Sequence, residues 1–226
     1  MTPSELSTRL NRFVFRLLEN GIAIDVRSHS ANASGGSALV TWSSPDADGA
    51  VFQNDFASLG EYLHFLKNGV FSAVLFDGSL LQISYELKRG QVVWHRLCYY
   101  PCPIQISIEE LEEVTIADFI EEIDLPELKG RLRLNSPIRF DFDPQAANAS
   151  HPSSHLTANR DCCRIPVRSY LDARRFIEFV FSNFYPDIWQ KHTSVLKLSV
   201  DDPPLIIESD DQMKVHLHWS TIAPTA

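Results

Sequence analysis

Three consecutive runs between residues 70 and 100 constrain the fold more than any other part of the sequence. They are separated by Asp77-Gly78 and by Lys88-Arg89-Gly90, and they cover Val70–Phe76, Ser79–Leu87 and Gln91–Tyr100. Asp-Gly between extended runs is typical of a two-residue β-hairpin turn. In the second run apolar and polar residues alternate, as they do in a strand with one buried face. The segment therefore predicts a three-stranded antiparallel meander with one more polar face.

Helices and further strands are predicted around this meander. Apolar spacing, capping residues and Asn-Gly stops predict helices over about 4–20, 58–68 and 171–184, with one or two short helices between 107 and 125. Polar loops are expected over 28–36 and 144–162. Further strands are expected at Ala38–Trp42, Lys129–Leu134, Ile138–Asp143, Cys163–Val167, Val195–Val200, Leu205–Glu208 and Lys214–Trp219. We therefore expect an α+β fold with a mostly antiparallel, strongly twisted sheet, built from the meander and C-terminal strands and packed by about four helices.

The size and composition of the chain favour one domain over residues 1–226. The chain has 226 residues, of which 44% are hydrophobic and 22% are charged, which is ordinary for a globular protein. The helix over 4–20 is the one element that could form a peripheral appendage. No apolar run approaches the roughly 20 residues of a membrane-spanning helix.

The cysteines and the net charge restrict the compartment and the partners. Cys162 and Cys163 are adjacent and would point to opposite faces of a strand, which disfavours two disulfide bonds with Cys98 and Cys102, so a reduced, cytoplasmic setting is expected. The net charge of −9 disfavours nonspecific nucleic-acid binding but leaves room for a local basic patch. We expect no membrane contact.

A strongly acidic stretch follows the meander. Nine carboxylates lie between Glu109 and Glu127. A solvated surface is the common explanation for such a stretch, and docking of a basic partner is the alternative.

The segment after Pro137 contains the main candidate site. On an extended strand Arg139, Asp141 and Asp143 would share one face, opposite Phe140 and Phe142. Three charged residues on one strand face are not typical of a core. The loop that follows brings His151 and His155, which could fold back toward the two aspartates.

Two chemical interpretations of this segment remain open. Asp141, Asp143, His151 and His155 could bind a divalent metal and activate water, with Arg139 or Arg164 stabilising phosphate charge. The alternative, which the sequence favours, is a turn at Asp143-Pro144 and ion pairs between the aspartates and nearby arginines. No cofactor is therefore expected, although a divalent metal is compatible with the residues.

Two weaker patterns lie elsewhere. His216 and His218 are two residues apart on a predicted strand, a spacing that metal sites use. Arg96, Tyr99 and Tyr100 could stack on nucleobases, although such a stretch is more often a central strand. The usual motifs of nucleotide-binding proteins, serine hydrolases and zinc proteases are missing from the sequence.

Two segments resemble an uncharacterised bacterial family with a domain of unknown function. They are DGSLLQISYELKRGQVVWHRLCYYPCP (77–103) and RFDFDP…HPSSHL…CRIPV (139–167), followed by FIEFVFSNFYPDIW (176–189). The resemblance extends from about the second helix onward and implies that the family pattern includes Arg96, Asp141, Asp143, His151, His155 and Arg164. It implies no activity. Small proteins of this kind resemble accessory components of bacterial defence or mobile-element loci.

Three hypotheses for the function follow. The first is an intracellular binding protein whose polar sheet face and His/Asp loop recognise a partner protein, with Arg96, Arg139 and Arg164 as binding residues. The second is a metal-dependent phosphodiesterase or nuclease at the Asp/His cluster. The third is a reader of single-stranded nucleic acid.

Overall fold

The computed structural model describes residues 1–42, 58–160, 162–198, 204 and 206–219, without the side chains of residues 108 and 112. Within these residues the helices are α1 (Pro3–Glu19), α2 (Leu59–Lys67), α3 (Ile108–Glu113), α4 (Ile116–Glu122), α5 (Leu125–Arg131), α6 (Ala173–Phe184), α7 (Pro186–Leu196) and α8 (Ser209–Gln212). The strands are β1 (Ala23–Val26), β2 (His29–Ser34), β3 (Ser37–Trp42), β4 (Ala73–Leu75), β5 (Leu80–Lys88), β6 (Gln91–Tyr100), β7 (Ile138–Phe142), β8 (Ser154–Ala158) and β9 (Arg164–Pro166). The predicted mixed α+β fold is confirmed.

The strands form one antiparallel sheet. Its main path runs β1-β4-β5-β6-β7-β8-β9, and the β2–β3 hairpin joins it where β3 pairs with β5. Strand β5 therefore has β4 beside its first residues and β3 beside its last. The meander is confirmed, because β5 pairs with β4 on one side and with β6 on the other. The turn after β4 contains Gly78 at φ +84°, a conformation that glycine adopts without steric cost.

The larger apolar core lies between one face of the sheet and helices α1, α6 and α7. The burial of side chains spaced three and four residues apart on α1 and α6 explains why these segments are helical here. The cluster takes Leu10, Phe13 and Leu17 from α1, and Phe176 and Phe181 from α6, all fully buried. The N-terminal helix is thus packed into this core.

The opposite face of the sheet carries a second apolar cluster near the meander. Tyr62 and Phe65 of α2 pack there against Tyr100 of β6, with ring centroids 5.8 Å apart in both pairs. Ser58 begins α2, since its side chain accepts a hydrogen bond from the backbone N–H of Glu61, as predicted. The apolar cluster covers the part of this face formed by β3–β6, including Trp42 of β3, which leaves the β6–β9 part to polar side chains.

The predicted C-terminal strands are wrong where the structure describes them. Val195 and Leu196 end α7, residues 206–208 are irregular, and within 214–219 only Leu217 forms a bridge, to Val167. Residues 199, 200 and 205, which belong to the first two predicted strands, lie outside the described residues. Among the described residues, Leu217 exchanges two backbone hydrogen bonds with Pro166 and Arg168, which is too few to form a ladder.

Other boundaries also differ from the predictions. The predicted strand Lys129–Leu134 is wrong, because its first residues belong to α5, which Asp124 caps. Strands β2 and β8 lie in segments predicted to be polar loops, and the described residues contain eight helices instead of about four. No helix in the described part of the chain is long and apolar enough to cross a lipid bilayer.

Candidate functional site

The polar face of β6–β9 carries most of the candidate residues. Register places Arg96 opposite Asp141, and Asp141 opposite His155. Residues directly opposite each other in an antiparallel pair share a face and lie within side-chain contact. Phe140 points to the other face and packs in the larger core. The alternation predicted for β7 therefore brings Arg139 and Asp141 to one face, together with side chains from two neighbouring strands.

Asp141 is the centre of an ion-pair network. Its Oδ1 accepts a hydrogen bond from Nε of Arg96 at 2.7 Å, and its Oδ2 accepts one from Nε of Arg139 at 2.6 Å. Burial opposes ionisation of this carboxyl, but the charges of Arg96 and Arg139 outweigh it and hold the pKa of Asp141 below its ordinary value. Asp141 is therefore an anion that orients two guanidinium groups. Arg139 and Asp141 are both buried, yet neither belongs to an apolar cluster, in agreement with the expectation that they are not core residues.

His155 lies beside this network with one ring nitrogen unsatisfied. Its Nδ1 donates to the carbonyl of Pro152 at 2.9 Å, so in the neutral ring Nε2 carries the lone pair. Nε2 lies 3.6 Å from Oδ2 of Asp141 and has no hydrogen-bond partner. Burial lowers the pKa of His155 to about 4 despite the neighbouring carboxylate. The histidine is thus neutral at neutral pH.

The loop before β8 brings a second histidine against the first. The rings of His151 and His155 meet edge to face with centroids 4.6 Å apart. Burial, and then the positive charge of Arg164, lowers the pKa of His151. The predicted approach of the histidine loop to Asp141 is therefore observed, with Arg164 close enough to act on both rings.

Asp143 lies at the end of this group, where its negative charge acts on the ring of His151. It follows the last residue of β7, and its Oδ1 accepts hydrogen bonds from the backbone N–H groups of Gln145 and Ala146. This is the turn that the sequence favoured at Asp143-Pro144. Asp143 therefore caps a loop and makes no hydrogen bond to Asp141 or to either histidine.

The geometry gives little support to a metal centre. Metal sites in proteins commonly use three or more protein ligands. Among the described residues no group of three or more His, Cys, Asp and Glu side chains could hold a metal ion. Both carboxylate oxygens of Asp141 are already hydrogen-bonded to arginines. His216 and His218 lie on an irregular segment, where Nδ1 of His216 contacts the carbonyl oxygen of Lys214 at 3.0 Å.

The aromatic residues considered for base stacking are not accessible. Tyr99 and Tyr100 lie on opposite faces of β6, and both are buried in apolar clusters. Tyr99 stacks on Phe184, and the hydroxyl of Tyr100 donates to the carbonyl of Ser58. The stacking hypothesis is therefore wrong for these two tyrosines. Arg96 is partly exposed and lies over the ring of Trp94 at 5.7 Å.

A groove that the sequence analysis missed lies at the other end of the sheet. It has a volume of about 660 Å³, and its walls come from β1, the end of α2, the start of β4 and the α3–α4 connection. Ile24 contributes an exposed apolar side chain (44%) to this groove. The apolar lining residues are Ile24, Leu66, Phe71, Val74, Leu111, Val114, Ile116 and Ala117. The acidic stretch was the one sequence signal near this groove, since Glu113 belongs to both.

Comparison with known proteins identifies the family. No curated protein and no solved structure matches the chain. One family model, described as an uncharacterized conserved protein (DUF2290), matches residues 23–219. This match includes the meander, the Asp141 network and the groove. The chain therefore belongs to the DUF2290 family of uncharacterized conserved proteins.

Proposed function

We propose that this protein is a binding protein that holds a basic segment of a partner protein in the groove between β1, α2 and the α3–α4 connection. The observation that carries the proposal is this groove of about 660 Å³, apolar along its walls and bordered by the acidic stretch. Its volume falls within the range of roughly 300–1,000 Å³ that is common for ligand sites.

The position of the groove suits an extended or helical segment. Strand β1 is the terminal strand on the main path of the sheet, so among the described residues no strand covers its outer edge. Exposed sheet edges and apolar grooves are the two surfaces that most often receive peptide segments. The exposed side chain of Ile24 and the half-buried side chain of Val114 would supply apolar contact area there.

The charge around the groove sets the chemistry of the partner. There is no Lys, Arg or His between Ser107 and Leu128, and nine carboxylates occur in that interval, of which Glu110 and Glu127 form ion pairs with Arg131. The one basic residue in the lining, Lys67, is neutralised by an ion pair with Glu121. Glu113 lines the groove, is exposed, and makes no ion pair among the described residues. The local field therefore favours a partner segment that carries Lys or Arg beside apolar side chains.

The Asp141 network supports binding over hydrolysis. The two arginines hold the pKa of Asp141 below its ordinary value, which makes it a weak general base at neutral pH, and among the described residues no group of three or more His, Cys, Asp and Glu side chains could hold a metal ion. The metal-dependent phosphodiesterase hypothesis is therefore not carried further.

Selection of displayed random peptides on the purified protein tests the proposal. We expect the retained peptides to be net positive, to carry at least one large apolar residue, and to bind more weakly at high salt. Ile24→Lys and Glu113→Lys should each weaken binding roughly tenfold, because each puts a positive charge into the groove.

Matched controls distinguish the groove from general surface charge. Leu134→Lys changes a fully exposed leucine outside the groove lining, and Glu178→Lys reverses an exposed carboxylate of α6, outside both the lining and the acidic stretch. Both should bind the selected peptides like the unchanged protein. Retention of acidic peptides, or equal losses in the control and groove variants, would show the proposal to be wrong.

The cellular setting is part of the same proposal. All four cysteines are free thiols in the structure, which supports a reducing compartment such as the cytoplasm. A role as an accessory binding component in a bacterial defence or mobile-element locus would suit such a protein, and the neighbouring genes of family members test that role.

A further inference from the structure

The polar face of β7–β9 contains buried polar atoms that the proposed binding function does not use. Four such atoms have no hydrogen-bond partner: Nδ1 of His151, Nε2 of His155, Oγ1 of Thr157 and Nε of Arg164. The described residues contain ten unpartnered buried side-chain atoms in all, so this group holds four of the ten. Buried polar groups in native proteins nearly always have a partner, and a concentration of exceptions indicates a missing one.

The strand register places these side chains side by side. Thr157 lies opposite Arg164 on one side and opposite Arg139 on the other. His155, two residues before Thr157 on β8, shares its face, and the ring of His151 contacts that of His155. The four unpartnered atoms therefore belong to one cluster on one face of the sheet.

Burial makes the missing partner more significant. Thr157 is 0% exposed and His155 is 1% exposed, so bulk water does not satisfy their polar atoms. His151 and Arg164 are half-buried and border the cluster. An unsatisfied polar atom in such a place costs about as much free energy as a lost hydrogen bond.

The chemistry of the four groups is that of an oxyanion site. The Nε–H of Arg164 can only donate, and the hydroxyl of Thr157 and the ring of His151 can donate. The neutral ring of His155 presents a lone pair at Nε2, because its Nδ1–H is held by Pro152. The cluster thus offers donors to anionic oxygens and one acceptor to an acidic hydroxyl.

The charge balance is compatible with an anion. Asp141, whose Oδ2 lies 3.6 Å from Nε2 of His155, is matched by the two arginines bonded to its oxygens, and the second carboxylate that acts on the cluster is Asp143, beside His151. Arg164 makes no ion pair with any described residue, and its charge disfavours protonation of both histidines. An anion beside Arg164 would neutralise the positive charge of its guanidinium group.

We infer that His151, His155, Thr157 and Arg164 form a binding site for a phosphate-class oxyanion, whose P–O⁻ oxygens accept from Arg164, Thr157 and His151 and whose P–OH donates to Nε2 of His155. The anion is either free phosphate or the phosphate group of a larger ligand.

Titration of the full chain with inorganic phosphate near pH 6.5 tests the inference. The readouts are calorimetry and the ¹⁵N shifts of the histidine rings. We expect one phosphate per chain and shifts of the His151 and His155 ring nitrogens. Sulfate carries no proton at this pH, cannot donate to Nε2, and should bind more weakly. Phosphoserine is the second probe and distinguishes free phosphate from the phosphate group of a larger ligand. Tighter binding of phosphoserine than of inorganic phosphate indicates a phosphorylated ligand.

Variants assign the effect to the cluster. Arg164→Gln should weaken phosphate binding roughly tenfold or more, since it removes a charge-assisted hydrogen bond. Thr157→Val keeps the shape of the side chain, removes only the hydroxyl, and should weaken binding severalfold. Arg160→Gln, which removes an exposed arginine from the loop before β9, is the matched control and should bind like the unchanged protein.

Two results would overturn the inference. One is the lack of any phosphate-dependent shift of the two histidine rings at tens of millimolar phosphate. The other is an equal loss of binding in Arg160→Gln and in Arg164→Gln. If Arg164→Gln does not fold, as judged by circular dichroism, Thr157→Val decides the question.

Discussion

Arg96 on β6 and Asp141 on β7 are cross-strand partners, and their side chains meet through a hydrogen bond of 2.7 Å from Nε to Oδ1. Because Arg139 bonds the other carboxylate oxygen, one buried anion holds two cations on the same face of the sheet. Such a network stabilises the fold only while it is complete, since removal of one member leaves an uncompensated buried charge.

The first prediction concerns the anion of this network. Asp141→Asn leaves Arg96 and Arg139 without their shared carboxylate, and we expect the free energy of unfolding to fall by about 3–5 kcal/mol. Urea denaturation followed by circular dichroism measures the change. Asp143→Asn is the matched control, because an amide oxygen can still accept the turn hydrogen bonds, and it should cost less than about 1 kcal/mol. Equal losses in the two variants would contradict the role assigned to Asp141.

The second prediction concerns pH. Burial lowers the pKa of His29 to about 4, of His95 to about 3 and of His155 to about 4, all below the ordinary value of 6.5. As pH falls below 6.5 the unfolded chain takes up protons on these histidines and the folded chain does not, so stability is lost. We expect a decrease of about 2 kcal/mol per histidine between pH 7 and pH 5.

Urea denaturation at pH 7 and pH 5, in buffers without phosphate, checks this expectation. The free energy of unfolding at pH 7 exceeds that at pH 5, and His155→Gln should reduce this difference by about the contribution of one histidine. His218→Gln changes an exposed histidine and should leave the difference unchanged. Stability that is constant from pH 7 to pH 5 would refute the prediction.

The third prediction concerns the turn between β4 and β5. A Cβ on Gly78 would lie 3.0 Å from Sγ of Cys102 and 3.0 Å from Cδ1 of Ile116, and the residue has φ +84°. We expect Gly78→Ala to destabilise the protein by more than about 2 kcal/mol, through both backbone strain and crowding. Gly36→Ala is the matched control, because φ is +87° there and nothing lies within 4 Å of the added atom. Its cost should be about 1 kcal/mol, and a cost equal to that of Gly78→Ala would show that crowding does not matter.

The fourth prediction concerns the segment before α6. The hydroxyl of Tyr85 donates to the carbonyl of Leu171, and Nε2 of His95 accepts from the N–H of the same residue. Tyr85→Phe should cost about 1–2 kcal/mol, because it leaves a buried carbonyl unsatisfied. Hydrogen exchange at Leu171 should remain slow in this variant, since the bond from its N–H to His95 is kept. Fast exchange there, with unchanged stability, would contradict the separate roles of the two hydrogen bonds.

The sequence predicted local elements well where the signals were short-range. Ser58 and Ser107 cap α2 and α3, which begin where the sequence predicted helices, and the Asp77-Gly78 turn separates β4 from β5. Strand β7 presents Arg139 and Asp141 on one face, as alternation requires. These features depend on hydrogen bonds and steric limits within a few residues, so they can be recognised without the rest of the chain.

The sequence failed where pairing with distant residues decides the structure. Strand β8 contains His155 and Thr157, and its polar sequence resembles a loop until β7 and β9 supply backbone partners on both sides. The C-terminal segment has strand-forming residues but forms only the Val167–Leu217 bridge with β9. Strand propensity is a weak guide, because backbone partners come from the tertiary fold.

The same division holds for the candidate sites. The order of residue types shows which side chains are available, namely the acidic stretch and the Arg, Asp and His residues of 139–164. Folding establishes that Asp141 is held by two arginines, that Asp143 caps a turn, and that Ile24 and Glu113 border one groove. Hydrogen-bond partners and burial depend on contacts between strands far apart in sequence, whereas residue type and alternation are local.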